Sequence, residues 1–176
     1  DLSKQVFSFL RHAGVQKVVV CAGARNAPMV LALETEKFEV YNFFEERSAA
    51  FFALGLIKSF KRPVAVLTTS GTAAAELLPA TIEAHYQGLP LILVTADRPK
   101  SYRGTGSPQS IEQVGLFKNY VEAEHDLDVG VQILDQLGQR QARDVLIEGR
   151  GEADEFVLAP IDRRHRPGQE LRSRPC

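Results

Sequence analysis

Two adjacent carboxylates, Glu45 and Glu46, stand where a strand-like segment ends and the apolar helical run Ser48-Ala-Ala-Phe-Phe-Ala-Leu-Gly-Leu56 begins. A carboxyl held against hydrocarbon tends to keep its proton, which suits it to acid or base work near neutral pH. Phe43, Phe44, Phe51 and Phe52 crowd the pair and are expected to wall it off. The bland alternative is an acidic first turn that complements a helix dipole. Ser70-Gly71-Thr72 falls between a buried-type strand and an Ala-rich helix, where unpaired amides can receive an anion or a polar heterocycle, or where a hydroxyl simply caps the helix. Arg25 and Asn26 follow the first strand and Arg98 follows the fourth, so two guanidiniums point to a substrate bearing carboxylates. His85 reads as a helix-end histidine. His12, His125 and His165 lack ligand spacing, so no metal site is expected from this chain. Neither G-x-x-x-x-G-K-[ST] nor a G-x-G-x-x-G after the first strand is present, which disfavours ordinary mononucleotide binding.

The elements that must position these groups alternate. Periodicity and punctuation predict helices over Leu2 to Ala13, Pro28 to Glu36, Glu46 to Phe60 and Ala73 to Tyr86. Strands are expected at Lys17 to Ala22, Phe38 to Asn42, Pro63 to Thr69 and Leu89 to Thr95. Most of these strands are continuous apolar runs, as in a parallel sheet covered on both faces. The pattern predicts a three-layer, doubly wound, mainly parallel α/β sheet with its functional loops gathered at the strands' carboxyl ends. Arg25, Glu46, Ser70 and Arg98 would then share one edge. Further on, a short helix over Ile111 to Phe117, a strand at Tyr120 to Ala123, a helix over Val129 to Leu137 and an edge strand at Asp144 to Glu148 complete a domain of residues 1–148. Residues 149–176, rich in Arg, Pro and Gly, read as a poorly structured tail.

The chain's 176 residues are 44% hydrophobic, enough for one core. Its 21 basic residues nearly cancel its 22 acidic ones, so neither nucleic acid nor an anionic membrane is an expected partner. Cys21 lies in an apolar run and Cys176 at the end, an improbable disulfide pair. No basic-then-apolar leader and no membrane-length apolar run occurs, so a cytoplasmic protein is expected.

Five stretches in this order resemble the pyrimidine-binding domain of thiamine-diphosphate-dependent enzymes, and within them the 2-succinyl-5-enolpyruvyl-6-hydroxy-3-cyclohexene-1-carboxylate synthase family of menaquinone biosynthesis. They are Gly23-Ala-Arg-Asn-Ala-Pro28, Glu45-Glu-Arg-Ser-Ala-Ala-Phe-Phe-Ala-Leu-Gly-Leu56, Thr69-Ser-Gly-Thr-Ala-Ala-Ala75, Leu93-Val-Thr-Ala-Asp-Arg-Pro99 and Gly106-Ser-Pro-Gln-Ser-Ile-Glu-Gln-Val-Gly-Leu-Phe117. The resemblance implies that Glu46 is the catalytic glutamate, bonded to the cofactor's aminopyrimidine ring. It further implies that Ser70, Gly71 and Thr72 lie beside that ring and that Arg25, Arg98 and Gln109 face the substrates. In the family these are 2-oxoglutarate, which is decarboxylated, and isochorismate, to which the product carbanion adds. A homodimer, or pairing with a diphosphate-binding domain, is implied as well.

Some positions depart from the family pattern. The first loop usually reads Gly-Ser-Arg-Ser-Thr-Pro, whereas here Ala24 and Asn26 flank Arg25, and Pro108 precedes Gln109 where Asn is common. The family holds Mg²⁺ and the diphosphate through Gly-Asp-Gly and a downstream Asn, because hard oxygen ligands neutralise that charge. These 176 residues contain no such motif, so the chain is expected to be the pyrimidine half of the machinery, incomplete and inactive alone. Two other readings stay open: a non-catalytic α/β module binding an anionic metabolite through Arg25 and Arg98, or the same domain of another thiamine diphosphate enzyme.

Overall fold

A computed structural model describes residues 2–127 and 156–160. The chain opens with α1 (Leu2–His12) and alternates through β1 (Lys17–Cys21), α2 (Ala27–Leu33), β2 (Glu39–Phe43), α3 (Glu46–Phe60) and β3 (Val64–Thr68). Two helical pieces follow, α4 (Thr72–Ala75) and α5 (Leu78–Gln87), then β4 (Leu91–Ala96), a 3₁₀ turn at Lys100–Tyr102, β5 (His125–Asp126) and β6 (Phe156–Pro160). The sheet order is β2-β1-β3-β4-β6-β5, with the first four strands parallel and β6 antiparallel to both of its neighbours. The expected α/β architecture is therefore present.

Burial explains the order of the strands. Every residue of β3 and of β4 is buried, as their unbroken apolar sequences require in the middle of a covered sheet, whereas β2 sits at one edge and is partly exposed. Helix α3 lays Ala49, Ala50, Ala53, Leu54, Leu56 and Ile57 inward, and the small alanines let its backbone approach the sheet closely. Phe7, Leu10, Met29, Leu67, Leu93 and Phe117 fill the remaining space. Each such side chain removed from water contributes roughly 1.5–3 kcal/mol.

Four expectations need correction. The helix over Ala73 to Tyr86 is broken after Ala75, because Pro79 has no N–H to continue the ladder and its ring excludes the carbonyl four residues back. Ile111 to Phe117 is not a helix but a series of turns that includes Gly115 at φ +82°. No strand forms at Tyr120 to Ala123; the short strand comes two residues later, at His125–Asp126. The tail placed at 149–176 contains β6, where the apolar run Phe156-Val-Leu-Ala-Pro160 pairs Leu93 with Ala159 and Thr95 with Val157. The expected helix at 129–137, the expected strand at 144–148 and the rest of the tail lie outside the described residues. No helix among the described residues is long and apolar enough to cross a membrane.

Candidate functional site

The carboxyl ends of β1, β2, β3 and β4 lie along one edge of the sheet, since these strands pair in parallel and nearly in step. Arg25 follows β1, Glu46 follows β2, Ser70-Gly71-Thr72 follows β3 and Arg98 follows β4, as expected. What the side chains do there differs from residue to residue.

The two adjacent glutamates are placed differently. Glu45 is the N-cap of α3: its Oε1 accepts from the Arg47 amide at 3.0 Å and its Oε2 from the Ser48 amide at 2.7 Å. Hydrogen bonding from Ser48, then from Arg47, holds its carboxyl below the usual range. Glu46 turns the other way and is half-buried, and its Oε1 receives a long hydrogen bond, 3.5 Å, from Thr68 Oγ1 at the end of β3. That is its one hydrogen bond among the described residues. Cys21, at the end of β1, is pushed up to about 12 by burial, then by the negative charges of Glu46 and Glu45.

Because the Glu45 carboxyl is lowered in the fold, its contribution is full above the ordinary carboxylate range and is lost as pH falls through the lowered value. Glu45→Ala should accordingly unfold at lower urea than the parent at neutral pH, with the gap closing on acidification. A gap that persists unchanged in acid would mean that the cap does not act through its charge.

Among the described residues the expected hydrocarbon wall is not closed. Phe43 and Phe52 meet at a tilt with ring centres 4.9 Å apart and Tyr41 meets Phe52 at 5.2 Å, but Phe44 is fully exposed and Phe51 and Phe52 are partly so. These rings line the outer face formed by β2 and α3 rather than enclosing Glu46 from all sides.

The Ser70-Gly71 turn is tied to a loop far away in sequence. Ser70 Oγ donates to the carbonyl of Gln109 at 3.0 Å, and the Gly71 amide donates to Gln113 Oε1 at 2.7 Å. Gln113, only 1% exposed, also donates through Nε2 to the Ala96 carbonyl at 3.0 Å and, more weakly, to Thr95 Oγ1 at 3.4 Å. Ser70 is buried and Thr72 exposed. Thr68, Thr69, Ser70 and Thr95 form a buried polar patch at the ends of the central strands, and Thr69 Oγ1 has no hydrogen-bond partner among the described residues. Thr69 packs directly on Gly23, where an added Cβ would meet its Cβ at 2.6 Å, so the first loop lies against this turn.

Arg98 Nη2 donates to the carbonyl of Pro108 at 2.7 Å, which draws the β4 arginine and the 107–113 loop together. Gln109 is exposed and adopts a left-handed backbone at φ +55°. Arg25 is half-buried on its loop, and no hydrogen bond or ion pair joins it to Glu46 or Arg98 among the described residues. Two of the positions that depart from the family pattern, Asn26 and Pro108, make hydrogen bonds within the chain. Asn26 is buried, accepts from the Gly23 amide at 2.7 Å and donates to the Cys21 carbonyl at 2.9 Å, so it locks the loop that presents Arg25. At Pro108 the backbone carbonyl is the group in use.

Sequence reasoning missed two buried polar groups here. One is Gln113. The other is Asp97, 2% exposed, which accepts from the Arg98 amide at 2.7 Å and pairs with Arg103 Nη2 at 2.6 Å, while Arg103 Nη1 reaches Asp126 at 3.5 Å. Both lay within the quoted motifs, but a single strand of text shows no partner for either.

A separate cavity of about 90 Å³ lies at the opposite, amino-terminal ends of β1 and β3, between Lys17, Phe60 and Arg62. Its ammonium is already engaged: Lys17 Nζ bonds Glu39 and Tyr41 and sits 4.1 Å from the Phe60 ring centre.

Residues 1–116 match the family model for the thiamine pyrophosphate enzyme N-terminal TPP binding domain. Over 129 residues the chain is 61% identical to a Bdellovibrio bacteriovorus protein named 2-succinyl-5-enolpyruvyl-6-hydroxy-3-cyclohexene-1-carboxylate synthase, covering 73% of this chain and 24% of that one. A Staphylococcus aureus protein of the same name is 48% identical over 132 residues, again 24% of its length. The chain thus spans about a quarter of the curated relatives it matches.

Proposed function

The chain belongs to the thiamine pyrophosphate enzyme family through that enzyme's N-terminal cofactor-binding domain, and we propose that it is the glutamate-bearing part of a 2-succinyl-5-enolpyruvyl-6-hydroxy-3-cyclohexene-1-carboxylate synthase. The observation that carries the reading is the division of labour between the two glutamates. Glu45 is spent on the helix, and Glu46, half-buried at the sheet's functional edge, keeps its hydrogen-bonding capacity for something else.

The donor set fits thiamine diphosphate. An aminopyrimidine ring needs a carboxyl for its ring nitrogen and polar groups for its edge. Glu46 and the unpartnered Thr69 hydroxyl, beside the buried Ser70 and Gly71 turn, are of that kind. When bound, the cofactor supplies the carbanion chemistry by which a 2-oxoacid is decarboxylated and joined to an acceptor. Glu46 would hydrogen-bond the ring nitrogen of a bound aminopyrimidine through its carboxyl and so favour one tautomer of that ring. Ser70 and Gly71 fix the wall beside the ring, and Thr72, exposed at the helix start, borders it. Arg25 and Arg98 receive the carboxylates of 2-oxoglutarate and isochorismate, and Gln109 supplies an amide to the acceptor.

Mg²⁺ and the diphosphate are held by residues outside these 176, on the same polypeptide or on another, so the segment alone is inactive as a transferase. The open aromatic surface beside Glu46 supports pairing: Phe44 and Phe51 are covered, and Glu46 is dried, when a diphosphate-binding domain or a second copy packs on the β2–α3 face. The cytoplasm is the compartment that suits such a biosynthetic step.

The test is reconstitution. With the remaining three-quarters of a relative's chain supplied, together with Mg²⁺ and thiamine diphosphate, the assembly should consume 2-oxoglutarate and form the adduct only when isochorismate is present. Decarboxylation without any dependence on isochorismate would assign the domain to a different enzyme of the class. No turnover in an assembly shown to bind the cofactor would leave a binding module instead.

A further inference from the structure

Gln113 is placed where one side chain can set two parts of the site at once, and we propose that it is a positioning residue for acceptor binding, acting through Gln109. The inference rests on the proposed role of Gln109. The amide of Gln113 is buried and has opposite ends in use: Oε1 receives the Gly71 N–H, and Nε2 gives to the Ala96 carbonyl and Thr95 Oγ1. It therefore pins the chain after β3 and the end of β4 to its own loop. Four residues earlier, that loop holds Gln109 in a left-handed conformation, uncommon for a residue with a side chain and persistent only where the surroundings over-determine it.

Those surroundings are the same turn. Ser70 Oγ donates to the Gln109 carbonyl, and Gly71 lies so close that a Cβ there would come within 2.9 Å of the Gln109 backbone. Removing the Gln113 amide frees Gly71, and Gly71 is what Gln109 rests on. Gln113 itself is sealed from solvent and has no route to a substrate. Its influence must pass through the loop.

The experiment uses the complete enzyme and compares Gln113→Leu, Gln109→Ala and the double variant. Each single change is expected to raise KM for the acceptor about 10- to 100-fold, and Gln113→Leu should lower kcat by far less than it raises KM. The double variant should be no worse than Gln109→Ala, since both act at one point. A purely structural role for Gln113 would lower kcat with the amount of folded enzyme and would add to Gln109→Ala; either outcome overturns the inference. If Gln109→Ala leaves the acceptor KM unaltered, the role given to Gln109 fails and the inference falls with it. If Gln109→Ala raises KM and Gln113→Leu does not, only the inference fails. Should Gln113→Leu not fold, hydrogen exchange in the parent decides: the Gly71 amide must exchange far more slowly than the open Gly104 amide, and equal rates would refute the latch.

Discussion

Glu46→Gln is expected to reduce thiamine-dependent turnover of the assembled enzyme by about 10²- to 10⁴-fold, the usual worth of a positioned acid or base, while the domain unfolds at nearly the parent's urea concentration. The asymmetry follows from the contacts. Glu46 is not the cap of α3, because Glu45 makes both first-turn hydrogen bonds. Its own bond from Thr68 is 3.5 Å long, and an amide of the same shape can keep it. What the amide cannot do is carry the carboxyl proton. A second readout needs no turnover: the Cys21 thiol, pushed up to about 12 first by burial and then by the Glu46 charge, should titrate somewhat lower in Glu46→Gln. Activity within a few-fold of the parent would remove the glutamate from the mechanism. Turnover lost instead in Glu45→Gln would mean that the two roles have been assigned in reverse.

How legible this site is in sequence depends on the distance over which its parts are tied. The buried strands β1, β3 and β4 announce themselves as short apolar runs, and α3 starts and stops where its acidic cap and its periodicity place it, because such signals are local. The pair Glu45-Glu46 is legible as a place but not as two functions. Which carboxylate turns back to the helix is decided by backbone torsions at residue 45, φ −134° and ψ 124°, and nothing in the letters distinguishes one glutamate from the next. Asn26 and Gln113 show the opposite failure. Each looks like a polar loop residue, yet each is buried because its partners, Gly23 and Cys21 for one and Gly71 and Ala96 for the other, only meet once the sheet has formed. Strand β6 was hidden for the same reason: five apolar residues amid arginines and glycines gain their value only from the unpaired edge of β4.

Gly71→Ala is expected to be among the most damaging single changes in stability, lowering the thermal midpoint by about 10 °C in circular dichroism, on the order of 3–4 kcal/mol for a domain of this size. Two costs combine at this position. The torsions, φ +81° and ψ −138°, lie in a region open essentially to glycine alone, and forcing alanine into it costs roughly 1–3 kcal/mol. The added Cβ would also come within 2.9 Å of three backbone atoms of Gln109, which cannot rotate aside like a side chain. Relief requires the 107–113 loop to lift, and lifting breaks the Ser70–Gln109 and Gly71–Gln113 hydrogen bonds together, leaving buried groups unpaired at about 1–3 kcal/mol each. Gly55→Ala is the internal control. It sits on the exposed side of α3 with nothing within 4 Å of a new Cβ, so the same substitution should stabilise by about 0.5–1 kcal/mol through helix propensity. Opposite signs at the two glycines would show that fit at residue 71, and not loss of glycine as such, decides the outcome. A midpoint for Gly71→Ala equal to the parent's would mean that Gln109 does not rest on this turn, and the coupling of the two loops would go with it.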